Sequence, residues 1–174
     1  MVNYANRGSH LEQLVQYANV QYHNKGIARI DKFPTPIDPE RVTRAGKVFG
    51  HYAKKSTVDY IGIIKSGTFV CFDCKETNER NVFPLKNVHQ HQIDYMKDAQ
   101  DMGGIAFLIV SFAKHGKYYR LSFRDLYEYW KKYMADTGGA NRAPGTASVP
   151  VGEFTFEVAP EKGFCLHYLR GMVD

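Results

Sequence analysis

The longest uninterrupted apolar stretch, Ile105-Ala106-Phe107-Leu108-Ile109-Val110, constrains the fold most. It is rich in β-branched and aromatic residues and offers no polar side chain at either alternate position, so it predicts a strand buried on both faces. Such a strand requires helices above and below its sheet. Three segments can supply them. Ser9-His10-Leu11-Glu12 has the order of a capping box, and Leu11, Leu14, Val15 and Ala18 follow at helical spacing, predicting a helix from Ser9 to about His23 with Gly26 as its stop. Ile93, Met96 and Ala99 make an apolar stripe over Val88 to Met102, closed by Gly103-Gly104. Ser122-Phe123-Arg124-Asp125 repeats the capping order ahead of Leu126, Tyr129, Trp130 and Tyr133.

The remaining strands are predicted from alternation and turns. Ile27 to Phe33 ends at Pro34-Thr35-Pro36, and Val58 to Ile64 and Phe69 to Lys75 form a hairpin around Lys65-Ser66-Gly67-Thr68. Tyr118 to Leu121 follows the central strand. Glu76 to Asn87 and residues 136 to 150 read as loops, and Glu153 to Val158 and Gly163 to Leu169 as short strands. The order of elements predicts an α/β fold, a mixed sheet flanked by helices. With 174 residues, 44% of them hydrophobic, the chain is sized for one domain over residues 1–174.

One stretch does not fit that core. From Ile37 to Ser56 apolar residues are sparse, while Arg41, Arg44, Lys47, His51, Lys54 and Lys55 recur. It is expected to project as a basic arm or to be partly disordered. The net charge of +5 agrees with a polyanionic partner. No apolar run approaches the roughly 20 residues of a membrane helix, and the start lacks the charged-then-apolar order of a signal peptide. Three cysteines are too few for a disulfide framework. These features predict a cytoplasmic protein with no membrane partner.

Chemistry concentrates in the hairpin. Asp59 lies in its first strand and Asp73-Cys74-Lys75 in its second, where Asp73 and Lys75 share a face and Cys74 takes the other. Asp is depleted in strands, and burying an unpaired charge costs several kcal/mol. A divalent cation resolves that cost, because hard Mg²⁺ takes carboxylate oxygens together with water and phosphate, and a lysine beside it can act on the attacking water or on developing charge. The pattern points to phosphodiester hydrolysis. Solvated acids at strand ends, with Lys75 as an ion-pair partner, are the competing explanation.

Asp59 followed by Asp73-x-Lys75 resembles the signature of the restriction-endonuclease-like nucleases. The words Asn6-Arg7-Gly8, Leu11-Glu12, Lys32-x-Pro34-Thr35-Pro36, Lys75-Glu76-Thr77, Phe83-Pro84-Leu85 and His91-Gln92-Ile93 resemble, in order, the RecU-type Holliday junction resolvases. The resemblance spans residue 4 to about 130. It implies a restriction-endonuclease-like sheet and a homodimer that binds four-way DNA junctions and makes paired symmetric nicks with Mg²⁺ or Mn²⁺. It also implies that Asp59, Asp73 and the Cys74 backbone carbonyl hold the metal, that Lys75 is the catalytic lysine, and that Glu12 and Gln92 face the same site. A capping box accounts equally for Glu12, and an exposed helix face for Gln92. In the family the arm is a stalk at the junction-facing side, so Arg41, Arg44, Lys47, Lys54 and Lys55, together with Arg7, are the expected DNA contacts.

The chain departs from the pattern in two ways. Asp73 stands where bacterial members commonly have Glu, which shortens the reach by one methylene. The chain also meets the Asn6-Arg7-Gly8 word almost at its start, as a compact phage-type member is expected to. A non-catalytic branched-DNA-binding protein and a duplex-cutting nuclease of the same superfamily remain the alternatives. Cys71-x-x-Cys74 with Cys165 and His167 is a poor zinc site, since residues three apart on a strand face opposite ways. His89 and His91 are expected to diverge on the surface.

Overall fold

A computed structural model describes residues 9–34, 37–52, 57–136, 147–154 and 156–173. Elements are numbered along the chain. The continuous apolar run is the strand β7 (Ile105–Phe112), near the middle of a six-stranded sheet. Its neighbours are β5 (Phe69–Thr77) on one side and β8 (Lys117–Ser122) on the other. Beyond β5 lie β4 (Tyr60–Ile64) and then β1 (Ala28–Lys32), and beyond β8 lies β10 (Phe156–Val158). Only β5 and β7 are parallel, and α2 (Gln90–Asp101) makes the crossover that a parallel pair requires. The result is the mixed sheet flanked by helices that the element order predicts.

Alternation along the central strands divides the core into two layers. Ala106, Leu108, Val110 and Phe112 pack with α2 and with α3 (Phe123–Asp136), whereas Phe107 and Ile109 pack with α1 (Ser9–Asn24) and the C-terminal segment. On the α1 side Tyr60, Phe72 and Phe107 stack across three adjacent strands at centroid separations of 4.9 Å. All three are fully buried, each contributing on the order of 2 kcal/mol from apolar area alone. Gly26, at φ 64, ends α1, and the Ile27 N–H reaches back to the Tyr22 carbonyl.

One expectation becomes more specific and two need correction. The segment Ile37–Tyr52 is an antiparallel hairpin of β2 (Ile37–Val42) and β3 (Val48–Tyr52), paired only with each other among the described residues. The Thr43 N–H bonds the Lys47 carbonyl and the Lys47 N–H bonds Thr43 Oγ1, closing its turn around Gly46 at φ 77. Sparse apolar residues conceal this order because the hairpin is held by backbone pairing, and Ile37, Val42, Val48 and Phe49 are all at least half exposed. Next, Glu76–Asn87 is not a simple loop. β5 continues to Thr77, and β6 (Val82–Pro84) pairs with β9 (Ser148–Pro150), a long-range contact that local sequence does not reveal.

Finally, residues 163–169 form turns rather than a strand. Their backbone is satisfied through side chains: Arg120 donates to the Tyr168 carbonyl at 2.7 Å, and Tyr22 Oη accepts the Leu169 N–H at 2.9 Å. Phe164, Leu166, Tyr168 and Leu169 bury themselves against α1 in consequence. No helix among the described residues is long and apolar enough to cross a membrane.

Candidate active site

The register of the β4–β5 hairpin begins at Tyr60 opposite Phe72, so the next step outward sets Asp59 across from Asp73. Asp59 is fixed from both sides of its backbone and side chain. Its carbonyl accepts the Phe33 N–H at 2.7 Å, and its Oδ2 accepts the Cys74 N–H at 2.9 Å. The N–H and C=O of a strand residue leave on the same side. The Cys74 carbonyl therefore also faces the end of β4, one step beyond the last pair of the ladder.

Asp73 points to the α2 side and is 1% exposed. Gln92 Nε2 donates to its Oδ2 at 2.6 Å. Lys75 Nζ stands 2.8 Å from its Oδ1, a buried ion pair. Burial pushes the Asp73 carboxyl up to about 7; the nearby Lys75 ammonium draws it down, and Asp59, within hydrogen-bonding range, pushes it up again. Two acidic side chains within hydrogen-bonding range, one of them buried, gather negative charge beside a single lysine. A hard divalent cation taking both acids and the Cys74 carbonyl fits this set of oxygens.

The two doubtful positions fall near these acids. Gln92 is not on an exposed helix face: it is buried, in the first turn of α2, because β5 and β7 lie directly beneath that turn. Glu12 is half-buried on α1, where Lys32 Nζ donates to its Oε2 at 2.5 Å. The Cys74 thiol is raised well above the ordinary range, by burial first and then by the charges of Asp59, Asp73 and Glu12. Lys32 and Tyr60 were not singled out as site residues by sequence reasoning. Lys32 sits within electrostatic reach of Glu12 and Asp59, and Tyr60 Oη bonds the Glu12 carbonyl at 3.4 Å. The only sequence signal for Lys32 is its place in the Lys32-x-Pro34-Thr35-Pro36 word.

No group of three or more His, Cys, Asp and Glu side chains among the described residues could hold a metal. Cys71 packs in the α2 layer and Cys74 in the α1 layer, on opposite sides of the sheet. His89 and His91 do not diverge. Their rings stack at 5.4 Å, nearly parallel, at the start of α2.

The arm keeps Arg41, Arg44 and Lys47 exposed, with the Arg41 guanidinium 5.2 Å from the Phe49 ring centroid. It is less basic than its recurring cations suggest, since Asp38 and Glu40 share β2 and both flank His51. Arg7, Lys54 and Lys55 lie outside the described residues.

The sequence profile of the family described as "Recombination protein U" matches residues 6–172. The chain belongs to the RecU family. Among relatives, the Holliday junction resolvase RecU of Pediococcus pentosaceus is 36% identical over 171 residues, covering 95% of this chain and 78% of its own. That of Lactiplantibacillus plantarum is 39% identical over 150 residues, covering 83% of this chain and 71% of its own. The Holliday junction resolvase Hjc of Archaeoglobus fulgidus overlaps more loosely, with a TM-score of 0.40 and 9% identity over 65% of this chain and 77% of that one. The site itself is read from the geometry of Asp59, Asp73 and Lys75.

Proposed function

We propose that this chain is a structure-selective endodeoxyribonuclease that resolves four-way DNA junctions by paired symmetric nicks, using Mg²⁺ or Mn²⁺. The observation that carries it is the buried Asp73 carboxyl, paired with Lys75 at 2.8 Å and set across from Asp59. The names of the RecU relatives support the choice of substrate.

Asp59, Asp73 and the Cys74 carbonyl would hold the cation. When bound, it supplies a Lewis acid for the phosphate and lowers the pKa of water. Gln92 donates to Asp73 Oδ2, and Oδ1, now paired with Lys75, would turn to the cation. Lys75 is 16% exposed at its side chain, enough to reach a phosphate oxygen while resting on Asp73. As an ammonium it steadies charge developing on the phosphate; once deprotonated it can take a proton from the attacking water. Lys32 holds Glu12 at the margin of this centre.

One chain carries one such centre, so two symmetric nicks call for a two-fold pair of chains, a homodimer. Residues 1–174 then act as one nuclease domain, with residues 37–56 as the arm that meets junction phosphates through Arg41, Arg44, Lys47, Lys54 and Lys55, and with Arg7 contacting DNA near the chain start. The cytoplasm, where recombining DNA lies, is the proposed location.

The test is cleavage of an end-labelled four-way junction beside a linear duplex of the same sequence, with Mg²⁺ and with EDTA. Metal-dependent paired nicks in the junction alone are expected. Junction binding without cleavage in either metal would make this a binding protein instead, and equal cutting of the duplex would remove junction selectivity.

A further inference from the structure

We propose that the groove between α1 and β1 seats the DNA strand next to the cut phosphate, and that Gln16 and Asn19 contact a base there. This rests on the reading of Asp59, Asp73 and Lys75 as a nuclease centre and extends it to the nucleotides beside that centre.

The groove has a volume of about 310 Å³ and follows β1, the outermost strand of the sheet. Gln16, Asn19 and Val20 line it from one stripe of α1, and Ile30, Lys32 and Tyr60 line it from the sheet. The same stripe begins one turn earlier at Glu12, whose carboxylate accepts from Lys32, and Lys32 in turn lies within electrostatic reach of Asp59. The groove therefore opens at the margin of the proposed metal centre. At 1.5 Å per residue, Gln16 lies about 6 Å and Asn19 about 10 Å along the helix from Glu12. Stacked nucleotides follow one another at about 3.4 Å, so a strand leaving the centre through the groove carries its next two or three bases past these amides.

The lining suits a nucleotide. Val20 and Ile30 give apolar surface to a base, and Lys32 gives a cation to a phosphate. Asn19 is only 8% exposed, and Tyr168 Oη donates to its Oδ1. Its Nδ2 is left with no partner among the described residues. A largely buried amide donor on the wall of a groove calls for an acceptor from whatever fills it, and base edges present ring nitrogens and carbonyl oxygens. Gln16, one turn before it, is exposed and bonds the Tyr60 hydroxyl, which donates onward to the Glu12 carbonyl at 3.4 Å. One end of that amide is held against the sheet and the other is free to meet a base. A bare phosphate would leave Val20 and Ile30 uncovered.

Two readouts test this, one without cleavage. Four-way junctions with randomised bases around the branch point are cut in Mg²⁺ and the cut sites are sequenced. The parent should favour one base at a position within about three nucleotides of the cut. Gln16→Ala and Asn19→Ala should each flatten that choice at least about fivefold, the lower limit for a base-edge contact. Gln16→Ala places the best helix former at an exposed helical position, so it keeps the test open where Asn19→Ala fails to fold. Tyr17→Ala, on α1 but outside the groove, should keep the parental profile. In EDTA, 4-thiothymidine placed in turn at these positions should photocrosslink to the α1 peptide that holds Gln16 and Asn19.

A parent with no base choice near the cut would overturn the proposal, as would an unaltered profile in Gln16→Ala and in folded Asn19→Ala. Crosslinks confined to residues outside α1 and β1 would do the same. A parent that cuts no junction in Mg²⁺ or Mn²⁺ would instead overturn the nuclease reading, and the metal-free crosslinks would still decide whether DNA lies in the groove.

Discussion

The Asp59 carboxylate accepts the Cys74 backbone N–H at 2.9 Å, which ties the residue before β4 to the strand that carries the second acid. The bond stands where the β4–β5 ladder has ended, one step beyond Tyr60 and Phe72. A side chain thus takes the place of a strand partner, and it holds the two carboxylates near each other against their repulsion. The site is an extension of the hairpin, built from the same register.

Removing the buried acid should separate chemistry from binding. Asp73→Ala is expected to lower junction cleavage at least a thousandfold while leaving junction affinity within about threefold, because the exposed arm is distant in sequence and paired only with itself among the described residues. Cleavage and electrophoretic binding on the same junction check this. A parallel loss of affinity would show that Asp73 supports the DNA surface as well.

The raised Asp73 carboxyl, at about 7, makes a signed prediction for the metal-free protein. An acid whose folded pKa lies above its unfolded value of 3.8 favours folding most in its protonated form. Its contribution is fully present below about pH 4 and is lost as pH rises toward 7. Asp73→Asn removes this loss. In EDTA, the stability difference between Asp73→Asn and the parent should shift in favour of the variant by about 2 kcal/mol between pH 5 and pH 8. Urea denaturation at the two pH values measures it, and a pH-independent difference would refute the shifted carboxyl.

At the hairpin turn, Arg44 and Lys47 are exposed and free of the acids on β2 that face His51. Replacing both with Gln should weaken junction binding and reduce the slope of log K against log salt by about two. Titrations at several salt concentrations provide the slope. An unchanged slope would mean that the turn does not touch phosphate.

The C-terminal turns depend on Tyr22, whose hydroxyl accepts the Leu169 N–H and bonds His167 Nδ1, each at 2.9 Å. Tyr22→Phe strands a buried N–H and is expected to cost about 1–3 kcal/mol in chemical denaturation. Cleavage by the folded variant should persist, since these bonds lie behind α1, away from Asp73. A change under 0.5 kcal/mol would indicate that the turns are held by apolar burial alone.

How much of this was legible in sequence depends on the range of the interaction. The helices, the β4–β5 hairpin and the central strand were readable, because caps, turns and alternation act over a few residues. Asp59, Asp73 and Lys75 stood out for the same reason: hairpin register and the two-residue period bring them to one place. Long-range partners were not readable. The β6–β9 pairing joins Val82–Pro84 to Ser148–Pro150, and the 163–169 turns have their strand-like apolar residues satisfied by Tyr22 and Arg120 instead of a ladder.

The sequence by itself determined the alternation that puts acids and lysine on one strand face, since side-chain direction in a strand follows from local backbone geometry. Only the tertiary structure decided that Gln92 is buried against Asp73, with the main-chain N–H at position 89 holding the other end of its amide. A helix has a polar position in every turn, and which one meets a carboxylate depends on where the crossover from β5 to β7 sets α2 down on the sheet.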